Sequence, residues 1–123
     1  MTKSSLNTVL CTVVRTFLST TPAVVVMLTA YYQEGDPILA CGIRGGEAAI
    51  TETDAEQAAA AQREAISTCL LSSIRVPLAV EEYRVGVLEL YAARDAFASL
   101  DRSLLERLGA CLAVALQSAT APQ

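Results

Sequence analysis

Leu6, Val9, Leu10, Val13, Val14, Phe17 and Leu18 fall at i, i+3, i+4, i+7, i+8, i+11 and i+12. This is the stripe of an amphipathic helix. Ser4 or Ser5 is its expected N-cap, and Pro22 ends it near Thr20 and Thr21 by disfavouring helical backbone before it. Ala23 to Tyr32 then runs almost continuously apolar and β-rich, the pattern of a central strand covered on both faces. Gln33, Glu34, Gly35 and Asp36 supply turn residues, and Pro37 opens a returning strand, Ile38 to Ile43, where a missing N–H is tolerated. The two strands are expected to pair antiparallel. Gly42, Gly45 and Gly46 surround Arg44 but match no phosphate-binding fingerprint, so they predict a plain turn.

Thr53 followed by Glu56 has the capping-box pattern ahead of helix formers running from Ala55 to about Leu71. The expected apolar face is Ala58, Ala61, Ala65, Ile66, Cys69 and Leu70. Ser73 to Val80 and Arg84 to Ala92 predict a second hairpin around Glu81, Glu82 and Tyr83. Period two puts Val85, Val87, Glu89 and Tyr91 on one face of its second strand, with Gly86, Leu88, Leu90 and Ala92 on the other.

In the last helix Ser99 is the expected cap, with Asp101 in the first turn and a core stripe of Leu104, Leu105, Leu108, Cys111, Leu112 and Ala115. From Leu108 to Leu116 the pattern is apolar all round. One side is therefore expected to pack on the sheet and the other on a second copy of the chain. The predicted dimer interface comprises Leu108, Ala110, Ala113 and Val114, with Val9 and Val13 of the first helix. The fold class is α+β in the order α-β-β-α-β-β-α: an antiparallel sheet with the terminal helices packed on one face, forming a single domain over 1–123.

Composition narrows the function. A chain of 123 residues that is 53% hydrophobic and 18% charged is a core-rich single domain. A net charge of −4 with scattered arginines gives no footprint for nucleic acid or an anionic membrane. The absence of histidine removes the commonest general base and metal ligand. No apolar run reaches the roughly 20 residues of a spanning helix, and the start of the chain lacks a signal-peptide pattern, so a cytoplasmic location is expected. Cys11, Cys41, Cys69 and Cys111 form no Cys-x-x-Cys pair and sit in apolar stretches, where a thiol usually packs as a small hydrophobe. No cofactor or metal site is expected.

Glu89 is the leading candidate for polar recognition, because a carboxylate in the row of Val87 and Tyr91 must reach water, pair with a cation or line a pocket. Arg75 on the neighbouring strand is a candidate partner if the hairpin register puts the two on one face. Tyr31 and Tyr32 alternate faces on the first strand, and one of them can join the pocket side. Cys69 completes the candidate ligand-binding set of Glu89, Tyr91, Arg75, Cys69 and Tyr31. Together with Cys41 it also raises the alternative of a redox pair brought together by the fold.

Arg75, Val76, Pro77 and Leu78, then Gly86 to Tyr91, then Phe97, Asp101, Leu104, Leu105 and Leu108 resemble the carboxyl half of a GAF domain. Leu39 to Gly42 is similar to the end of that family's second strand. The resemblance implies a GAF/PAS-like sheet with a pocket on one face, terminal helices that form a dimer bundle on the other, and a non-catalytic regulatory or sensory role in signal transduction. A homodimer and a small-molecule ligand or signalling-protein partner are implied with it. The stretch from Gly45 to Ser72 departs from the family, supplying essentially one helix where a longer lid is usual. Ala92 and Ala93 stand where cyclic-nucleotide binders carry Asn-Lys, and Arg102 replaces the glutamate that follows Asp101, so cyclic nucleotides are disfavoured. Two alternatives are a cysteine-based protein resembling free methionine sulfoxide reductase and a roadblock-like partner-binding module.

Overall fold

A computed structural model describes residues 3–31, 37–70 and 72–120. The elements are α1 (Lys3–Thr20), β1 (Val25–Tyr31), β2 (Pro37–Ile43), β3 (Ala49–Thr51), α2 (Ala55–Ser67), β4 (Ser72–Val80), β5 (Tyr83–Ala92) and α3 (Arg102–Thr120). The strands form one antiparallel sheet in the order β3-β2-β1-β5-β4. The fold is thus α+β, with one strand more than the sequence predicts. β3 is three residues long, too short to show a period, and it pairs with β2 from Leu39↔Thr51 to Cys41↔Ala49.

β1 occupies the centre because it is apolar on both sides. On one face Val26, Leu28 and Ala30 join Leu88 and Leu90 beneath Leu6, Leu10 and Val14 of α1 and Leu105, Ala113 and Leu116 of α3. The terminal helices therefore share one face. On the other face Val25, Met27 and Leu39 meet Ala55 and Ala59 of α2. This second layer reaches across β1 and β2 to β5 and leaves β4 uncovered. On β4 the residues facing away from the main core, Ser73, Arg75, Pro77 and Ala79, are exposed.

Several local expectations are corrected. Ser4 and Ser5 lie within α1 rather than at its cap. The N-cap of α2 is Asp54, in the left-handed region at φ 53° and with no side-chain cap hydrogen bond, so the capping box of Thr53 does not form. Asp101, not Ser99, caps α3: its Oδ1 accepts from the Leu104 N–H at 3.1 Å. The buried stripe of α3 is Leu105, Gly109, Ala113 and Leu116, while Leu104, Leu108, Cys111 and Ala115 face outward. Gly109 sets that phase, because a Cβ there would lie 2.7 Å from Val76 Cγ1. The predicted turn of Gln33 to Asp36, together with Tyr32, lies outside the described residues.

Gly86 marks another close approach, where β5 runs against β1 so tightly that a Cβ would collide with the Thr29 carbonyl oxygen. Backbone cannot yield there as a flexible side chain would. Gly86→Ala is expected to lower stability by about 2 kcal/mol in urea denaturation.

Candidate functional site

Glu89 sits in the middle of β5, paired with Met27 of β1 on one side and Arg75 of β4 on the other. Only 2% of its surface is exposed. A carboxylate so far from water requires a counter-charge, and α2 provides it. Ala55, Ala59 and Arg63 recur every four residues on the helix face turned to the sheet. Arg63 donates from Nε to Glu89 Oε1 at 2.7 Å and from Nη2 to Oε2 at 3.1 Å, a bidentate pair of the strong charge-assisted kind. Tyr91, two residues along the same strand face, donates its hydroxyl to Glu89 Oε1 at 2.9 Å.

The network raises the pKa of Arg63 and Tyr91. The hydrogen bond to Glu89 raises Arg63 further above its ordinary range. Burial, reinforced by the hydrogen bond to Glu89, pushes the Tyr91 hydroxyl up to about 12. Arg63 keeps 35% of its side chain exposed, so this pair stands at the margin of the covered part of the sheet.

Beside it, between α2 and the uncovered β4, lies a cleft of 180 Å³ to which Thr29, Tyr31, Arg63, Arg75 and Glu56 contribute, with Ala59 and Val87 as its apolar walls. Thr29 is 5% exposed, and its buried hydroxyl has no hydrogen-bond partner among the described residues. Of the residues proposed from sequence, Tyr31 and Arg75 line this cleft, while Glu89 and Tyr91 form the adjoining network. Cys69 lies exposed beyond the end of α2, away from the lining. The register places Arg75 directly opposite Glu89, but the carboxylate is bound by Arg63.

Arg63 and Thr29 are the residues sequence reasoning missed. The signal for Arg63 was its i+4 spacing from Ala59 in an alanine-lined helix; the expected face of Ala61, Ala65 and Cys69 is instead exposed, whereas Ala58, Ile66 and Leu70 do pack inward.

The dimer-interface candidates also divide. Leu108, Ala110 and Val114 are exposed, Val9 and Val13 are half-buried, and Ala113 is fully buried in the core, where it packs within its own chain. The cysteines are not uniformly core: Cys11 and Cys41 are half-buried, Cys69 and Cys111 exposed, and all four are free thiols. Burial pushes the Cys41 thiol up, which depletes the thiolate that redox chemistry needs. Arg44 is occupied structurally, donating to the Thr21 carbonyl at 2.7 Å and the Ala23 carbonyl at 2.6 Å.

Two predictions follow from the triad. Arg63→Met leaves Glu89 buried without a counter-charge and is expected to cost about 3 kcal/mol. Adding Glu89→Leu should recover most of that loss; urea denaturation of both variants checks it. Second, the Tyr91 hydroxyl is raised in the folded state, so its contribution is intact below pH 10, its ordinary value, and is lost as pH climbs through about 12. The stability difference between wild type and Tyr91→Phe should therefore shrink across that alkaline window in denaturation curves.

No helix among the described residues is long and apolar enough to cross a membrane. Comparison of the chain with protein-family models, with curated proteins and with solved structures returns no match.

Proposed function

We propose that this chain is a non-catalytic, GAF-like regulatory module that dimerises through its terminal helices and responds to a small molecule or a signalling partner. The observation that carries this reading is the outward row of α3. Leu104, Leu108, Cys111 and Ala115 repeat at intervals of four, three and four residues, the spacing of a helix-pairing seam. Leu108 is 48% exposed, and Val114 beside the row is 58% exposed. Large apolar side chains ranged along one helix mark an interaction surface.

The polar cleft stands on the opposite face of the same sheet. β5 connects the two sites: its Leu88 and Leu90 pack in the core shared with α3, and the intervening Glu89 holds Arg63 of α2. Any displacement of α2 on ligand binding bears on β5 through that ion pair. A small shift of β5 then changes the pose of α3, and with it the geometry between protomers.

Sedimentation velocity tests the reading. The wild-type protein is expected to be a dimer at micromolar concentration, and Leu108→Glu to weaken the dimer by at least about tenfold, since burying one leucine is worth roughly 1.5–3 kcal/mol. A wild-type chain that stays monomeric at high micromolar concentration overturns dimerisation and favours a partner-binding subunit.

A further inference from the structure

We infer that the cleft between α2 and the uncovered β4 binds the carboxylate of a small organic acid. This rests on the proposal of a ligand-responsive module and names the class of ligand it would take.

The first observation is Thr29, which lines the cleft from the central strand while its hydroxyl is buried and lacks a partner among the described residues. An orphaned hydroxyl at such a depth is destabilising, and valine would fill the same space without that cost. A ligand oxygen arriving in the cleft supplies the acceptor it lacks.

The second observation is the pair of guanidinium groups. Arg63 uses its Nε–H and one Nη2–H on Glu89, which leaves three of its five donors. Arg75 lines the cleft from β4, and the Glu89 carboxylate opposite it is already bound by Arg63 and Tyr91. Planar guanidinium forks match the two oxygens of a carboxylate.

Size and lining restrict the rest of the ligand. A cleft of 180 Å³ holds about six water volumes, which suits a short acid. Val87 and Ala59 offer an apolar wall to a short chain. Glu56, in the first turn of α2, is the one acid in the lining among the described residues. It would accept from the ammonium of an α-amino acid, so 2-oxo acids and amino acids share the carboxylate and differ at Glu56.

The test is calorimetric titration of the full chain, in chloride buffer, with acetate, pyruvate, L-alanine and inorganic phosphate. Saturable binding of at least one carboxylate is expected, weakened at least about tenfold by Thr29→Val and by Arg75→Gln. Thr29→Val should melt no lower than wild type, so its loss of binding is not a loss of fold. Preference for alanine that disappears in Glu56→Gln upholds the inference with an amino acid as ligand; equal or better binding of pyruvate upholds it with a simple acid. No carboxylate binding at millimolar concentration, binding of phosphate alone, or affinity unchanged in both variants overturns it. Sedimentation of the same samples separates the two proposals. A dimer that binds no acid overturns only this one, and an acid-binding monomer overturns only dimerisation.

Discussion

A carboxylate buried in the middle of a sheet cannot be left without a counter-charge, and the placement of α2 answers that demand. The helix has little else to hold it: its fully buried residues are Ala55 and Ala59, each burying a single methyl group. Ile66 and Leu70 add partial contacts at its end. The bidentate contact of Arg63 with Glu89 therefore sets where the helix lies and how far it extends over the strands. Because it reaches only to β5, the outer strand of that face stays uncovered, and the cleft is the gap that remains.

The two faces of the sheet are stabilised by different physics. Beneath α1 and α3, long aliphatic side chains interdigitate, and contact is close enough that Gly109 has no room for a Cβ against Val76. Packing of that kind resists displacement. Beneath α2, small side chains and one directional ion pair do the holding.

Much of this was legible along the chain. The stripe of α1 and the second hairpin follow from clear periods, the central position of β1 follows from its continuous apolar run, and the alternation of β5 isolates Glu89 among apolar neighbours. The phase of α3 was only partly legible, because a helix that is apolar all round offers two equivalent stripes: Leu105 is buried as the sequence predicts, but Leu104 and Leu108 face outward while Gly109 and Ala113 are buried. Gly109 carries no hydropathic signal, yet its lack of a side chain is decisive. Arg63 was hidden because charge is ordinarily counted as outward-facing, and the Thr29 hydroxyl was hidden because a threonine in an apolar strand looks like ordinary β-branched filling.

The borders of the sheet impose one more condition. β3 has only three residues, and β4 contains Pro77, which has no N–H to offer a neighbouring strand, together with the charged Arg75. Open sheet edges invite other chains to add strands, and short or proline-bearing edges discourage it. Growth of the sheet from molecule to molecule is hindered at both ends. Copies of this chain that meet at high concentration are thus steered away from open-ended stacking of strands.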